Sequence, residues 1–145
     1  MIPNRRYRKI SLCLWGDTKF RALSPAPPNA QTLWCYLLCG PETTAIPGVL
    51  RSGERGMAEA LGWSLEGFRK AFQEVFAQDL AKADWTARVI WLQRAIIHNP
   101  PSSPNVVILW GRTWQDLPEC TIKTQIYQYI KAFMEGFTKA FHEAF

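Results

Sequence analysis

Three observations on the 145-residue chain predict a mainly helical fold with a small β wing. Between 54 and 78, two segments with apolar residues at helical spacing are separated by Gly62-Trp63-Ser64, which fits two helices joined by a tight turn. Directly downstream, Leu80-Ala81-Lys82-Ala83 and Val89-Ile90-Trp91-Leu92 flank residues 84–88, the pattern of two short strands around a tip. After a Pro- and Ser-containing break over 98–105, apolar residues recur every three or four positions to the C-terminus. Helix, turn, helix and hairpin in that order predict a winged helix-turn-helix domain over 24–98. A basic arm with a short helix over 1–23 precedes it, and a C-terminal helical extension over 99–145 follows.

The arm carries the charge. Arg5, Arg6, Arg8, Lys9, Lys19 and Arg21 face a single acid, Asp17, and account for the whole net charge of +5. A cluster such as Arg5-Arg6-Tyr7-Arg8-Lys9 attracts phosphate by releasing counterions and suits an arm lying along a groove, although such contacts specify no sequence. A solubilising tail is the alternative. An apolar patch at 10–15 and a short helix over 17–23 come next, until the prolines at 25, 27 and 28 exclude helical geometry. Asn29 is a cap for a helix over 31–38, with Leu33, Trp34, Leu37 and Leu38 toward the core and Gly40-Pro41 ending it. The β-forming residues of 43–50, with Pro47-Gly48 among them, suit a small strand.

In the central pair the first helix spans 54–61, with Met57, Ala58 and Leu61 inward and Gly62 just past its end, where glycine enters the left-handed conformation cheaply. Ser64 caps a second helix over 65–78 whose buried stripe is Phe68, Phe72, Val75 and Phe76. The opposite face carries Arg69, Lys70, Gln73 and Glu74. In this motif the second helix is laid in the DNA major groove, so Arg69, Lys70 and Gln73 are the candidate base readers, and the guanidinium fork of Arg69 matches the guanine edge. Arg55, Arg88 and the arm residues are candidates for phosphates. Trp85 and Arg88 are expected at an exposed wing tip that contacts the minor groove or the backbone, with folding back of Trp85 onto the domain as the alternative.

The C-terminal extension reads as a helix over 106–117 and a last long helix over 121–145, striped by Ile122, Ile126, Ile130, Phe133, Phe137 and Phe141. Its end, Phe133, Phe137, Phe141 and Phe145, is expected to project and to need a partner, either a second copy of the chain or another protein. Residues 66–76 and 135–145 share eight of eleven identities. With a single copy of the turn and wing, this reads as convergence on an amphipathic helix and not as a duplicated domain.

Composition excludes several classes. With 48% hydrophobic residues the chain has apolar surface for one ordinary core. It has no run of 18 apolar residues for a membrane span, and its N-terminus lacks the apolar region of a secretion signal, so the expected location is the bacterial cytoplasm. Cys35 and Cys39 fall one helical turn apart, yet no CxxC or nearby histidine completes a zinc site, which leaves Cys13, Cys35, Cys39 and Cys120 as reduced small hydrophobes. His98 and His142 have no acidic or nucleophilic neighbour at a diagnostic spacing. The expectation is a protein without catalytic residues, metal or cofactor.

Several phrases together resemble one family. Arg8-Lys9-Ile10, Leu14-Trp15-Gly16-Asp17-Thr18-Lys19 and Arg21-Ala22-Leu23-Ser24-Pro25 are similar to the start of phage replication-initiator or replisome-organiser proteins. Ile46-Pro47-Gly48-Val49, the turn at 57–64, and Ile97-His98-Asn99-Pro100 followed by Ser103-Pro104-Asn105-Val106-Val107 extend the likeness over most of the chain. The resemblance implies a winged helix that binds origin DNA and a separate C-terminal region that engages the host helicase or its loader. Such initiators usually run longer, so a helicase-recruiting region is expected to be missing, or the chain to be an isolated domain. Against this stands a reading from another class: a phage-encoded module that keeps the winged scaffold to bind and inhibit or redirect a host replication or defence complex. The neutral balance after residue 23 and the terminal phenylalanines favour that alternative.

Overall fold

The computed structural model describes residues 9–145. A 3-10 turn at Leu12–Gly16 leads into α1 (Thr18–Arg21) and α2 (Ala30–Cys39); then come β1 (Val49–Arg51), α3 (Glu54–Leu61), α4 (Leu65–Ala77), β2 (Lys82–Asp84), β3 (Val89–Trp91), α5 (Ala95–His98), α6 (Pro104–Asp116), α7 (Thr121–Met134) and α8 (Lys139–Ala144). The chain is mainly helical around one small antiparallel sheet of order β1-β3-β2.

The sheet is the middle layer. β3 pairs with both neighbours, Ile90 standing opposite Leu50 on one side and Ala83 on the other. Because successive strand residues point to opposite faces, Leu50 and Ile90 enter one core with Leu33, Tyr36, Leu37, Met57, Phe68 and Phe72 of α2 to α4. Val49, Val89 and Trp91 enter a second core with Trp110 of α6 and Ile122, Ile126, Ile130 and Met134 of α7. All three residues of β3 are therefore buried, the signature of a strand covered on both faces.

Local chemistry accounts for the element ends. Asn29 Oδ1 accepts from the Thr32 amide at 2.8 Å to open α2, and Asp17 Oδ2 accepts from Phe20 at 2.9 Å to open α1. The inner stripe of α2 is Leu33, Tyr36 and Leu37, while Leu38 is 45% exposed, a departure from the expected inward set. Tyr36 fills the place because its ring packs on Trp15 at 4.8 Å and its hydroxyl donates to Glu42 at 2.5 Å. Phe76 also departs: Phe68, Ala71, Phe72 and Val75 make the buried face of α4, and Phe76, about 100° past Val75, is 50% exposed.

The strand expected over 43–50 is shorter and later, at Val49–Arg51, with Thr43 reaching Leu50 only through an isolated bridge. The largest correction is at the C-terminus. The helix expected over 121–145 ends at Met134, the amide of Phe137 donates to the Met134 carbonyl at 2.9 Å, and α8 returns across α6 and α7. Phe133, Phe137, Phe141 and Phe145 are half-buried against the second core and do not project. Phe137 lies 5.2 Å from Phe133 and 4.9 Å from Phe141, while Phe145 stacks on Tyr127 at 5.3 Å. The physical reason is that a straight helix would leave these rings in water, whereas a turn at Glu135-Gly136 buries them. No helix among the described residues is long and apolar enough to cross a membrane.

Candidate nucleic-acid interface

The α3–turn–α4 unit is built from three local devices. Gly62 takes φ 73° and its amide donates to the Ala58 and Glu59 carbonyls, closing α3; an L side chain rarely adopts that conformation. Trp63 is buried and its indole Nε1 donates to the Ala26 carbonyl at 2.7 Å, so the Pro-rich segment before α2 is tied to the turn. Ser64 Oγ accepts from the Gly67 amide at 3.0 Å and opens α4. Gly67 is required by that approach, because a Cβ there would stand 2.8 Å from Pro28 Cγ.

The outward face of α4 presents Arg69, Lys70, Gln73 and Glu74, all exposed. Two of its cations are engaged. Arg69 Nε and Nη2 donate to Glu54 Oε2 and Oε1 at 3.1 and 3.3 Å, linking α4 to the first turn of α3. Lys70 Nζ stands 3.5 Å from Glu66 on its own helix. Gln73 makes no side-chain hydrogen bond among the described residues.

Beside this face the hairpin tip is stiffened from within. Asp84 Oδ1 accepts from the Ala87 amide at 2.8 Å, and Arg88 takes the left-handed φ of 57°. The Arg88 carbonyl accepts from the Ser52 amide at 3.1 Å, which docks the tip against the entry to α3. Trp85 does not stand at an exposed tip. Its ring lies 4.9 Å from Phe72 and 6.0 Å from Phe68, edge-on to both, because a large apolar ring gains more by covering those phenylalanines than by facing water.

Arg51, Arg55 and Arg88 converge on one cleft of about 670 Å³, walled also by Ser52, Gly53, Glu54, Gly56 and Trp85. All three arginines are exposed, and none lies within 4 Å of a carboxylate among the described residues. Gly53 brings no side chain to cap α3, and the first residues of the helix, whose free amides carry a partial positive charge, line the same cleft. The Arg88 side chain lies alongside Gly53, its Nε 3.5 Å from where a Cβ would stand, an ordinary contact distance. The cleft is suited to an anion.

Of the remaining candidates, Lys9 is exposed, and Arg5, Arg6 and Arg8 lie outside the described residues. Phe133, Phe137, Phe141 and Phe145 pack against the second core and not in the core that α4 joins. Sequence reasoning missed Arg51 and Glu54. Arg51 was legible as a cation just before a glycine-led helix start, but the Glu54–Arg69 pair joins residues fifteen positions apart and has no local signal. Burial pushes the Cys39 thiol above its ordinary range, and burial with the Glu42 contact does the same for the Tyr36 phenol; both lie away from this surface. Compared with known protein families, curated proteins and solved structures, the chain has no match.

Proposed function

We propose that this chain is a DNA-binding protein of the phage replication-initiator type, with α4 as the recognition helix of a winged helix-turn-helix and the β2–β3 hairpin as its wing. The observation that carries the reading is the grouping of Arg51, Arg55 and Arg88, none paired with a carboxylate among the described residues, in one cleft that also includes Glu54, the partner of Arg69 on α4. In this reading Arg69, Lys70 and Gln73 face base edges, Arg55, Arg88 and the arm residues Arg5, Arg6, Arg8 and Lys9 neutralise phosphates, and Trp85 supports the wing from beneath. Phosphate contacts set position and affinity, base contacts set selectivity. Neither a catalytic group nor a cofactor is needed for such a role.

Fluorescence anisotropy with a labelled mixed-sequence duplex and its single strand, at low and near-physiological salt, tests the reading. The expected result is duplex binding that weakens steeply with salt, as counterion release requires. Replacing Arg69 by Ala should cost roughly 1–3 kcal/mol on the preferred site and relax selectivity there. Absence of duplex binding at low salt overturns the proposal.

A second reading has its own observation. Arg69 and Lys70 are both tied to carboxylates, so the α4 face is close to neutral and also suits a protein partner, such as a host replication or defence complex. A second copy of the chain through the C-terminal helices is the homodimer version of that reading. Apolar docking is insensitive to salt, and the same titration separates the two.

A further inference from the structure

Glu54 holds Arg69 along one edge only. The Nε and one Nη2 hydrogen point at the carboxylate, with donor distances of 3.1 and 3.3 Å. A guanidinium carries five N–H donors in a rigid fork, so three remain: one on the edge beside Cδ and two at the outer end. Those two are a parallel pair from Nη1 and Nη2, the geometry that meets two acceptors side by side. Glu54 itself has little freedom: its side chain is only 18% exposed against 57% for Arg69, and it projects from the first turn of α3, whose packing on α4 through Met57, Ala58, Leu61 and Phe68 fixes the distance. Glu54 is also one of the residues lining the cleft of Arg51, Arg55 and Arg88, so its negative charge lies near any phosphate bound there.

We propose that Glu54 is a positioning residue that aims the outer edge of Arg69 at a guanine in duplex DNA, at the expense of affinity for the nucleic-acid backbone. This rests on the reading of α4 as the recognition helix. Its consequence is that loss of the carboxylate moves two affinities in opposite directions. Affinity for a preferred sequence falls because Arg69 is no longer held in register with the O6 and N7 acceptors of guanine. Affinity for arbitrary sequence rises because one negative charge leaves a basic cleft.

The test begins by using the full chain to select duplexes from a randomised pool. The parent, Glu54→Ala and Glu54→Gln are then titrated by anisotropy against the selected duplex and a mixed-sequence duplex of equal length, with a thermal melt of each protein. Glu54→Ala is expected to lower the ratio of selected to mixed affinity about ten-fold, the scale of one bidentate base contact, while mixed-sequence binding tightens. Glu54→Gln, which keeps one acceptor for Arg69, should retain part of the ratio. Were Glu54 merely structural, both affinities would fall together with the melting temperature. A Glu54→Ala variant with the parent's ratio overturns the inference and leaves the recognition-helix reading standing; a parent that selects no duplex removes that reading and the inference with it.

Discussion

Lys123 is the one buried charged residue among the described residues, 6% exposed on the first turn of α7. Its ammonium donates to the Leu117 carbonyl at 3.0 Å, pairs with Glu119 at 2.8 Å and lies 5.1 Å from the centre of the Trp114 ring. These contacts tie the end of α6 to the start of α7, so the residue works as a clamp on the turn between them. The cost of removing it should come from the orphaned carbonyl and not from the ion pair, since Glu119 is largely solvated. Lys123→Ala is expected to lower the unfolding free energy by about 1–3 kcal/mol, while Glu119→Ala changes it little; urea denaturation followed by Trp fluorescence measures both. The Glu119 partner stands at the local i,i+4 spacing, but the burial was not legible, because a lysine followed by Thr124 and Gln125 reads as a solvated position.

Short-range signals decided the elements wherever the signal was a cap. Asn29 at the start of α2, Gly62 at the end of α3 and Ser64 at the start of α4 are marked in the sequence and perform those roles in the structure, for caps act on amides and carbonyls two to four residues away. Gly67 illustrates a constraint with no such signal. A methyl group there meets Pro28, and Pro28 belongs to an irregular segment held by the Trp63–Ala26 hydrogen bond, so it has limited room to retreat. Gly67→Ala, which helix propensity alone would favour by up to about 1 kcal/mol, is therefore expected to destabilise the protein, and a lower melting temperature than the parent would register it. Residues 66–76 and 135–145 make the same point between elements: the first copy lies within a continuous helix, the second spans a turn and α8. Thr138, where the first copy has Arg69, becomes the residue before α8, in extended conformation.

For the whole molecule, the decisive feature is a three-stranded sheet shared by two cores. Val49, Val89 and Trp91 pack mainly with residues of α5 to α7, whereas Leu50 and Ile90 are covered by α2 to α4. A fragment ending at residue 98 would expose Ile46, Val49, Val89 and Trp91, roughly 1.5–3 kcal/mol for each large apolar side chain fully uncovered. Such a fragment is expected to melt well below the full chain or to aggregate, as far-UV circular dichroism and sedimentation would record; a fragment as stable as the parent would show that the second core adds nothing to the first.

By itself the sequence determined the succession from α2 to β3, the caps at 29, 62 and 64, the inward residues of α3 and the Ile122, Ile126, Ile130 stripe of α7, because each follows from periodicity or from hydrogen bonds between near neighbours. It also singled out Arg55 and Arg88 as cations, without their arrangement in one cleft. Tertiary structure alone decided that Trp85 lies on Phe68 and Phe72, that Arg51 joins Arg55 and Arg88, that Glu54 grips Arg69, and that the last phenylalanines fold inward. Each of these depends on burial against, or charge pairing with, groups brought near by the packing of separate elements, and a one-dimensional pattern of apolar and polar residues carries no term for such encounters.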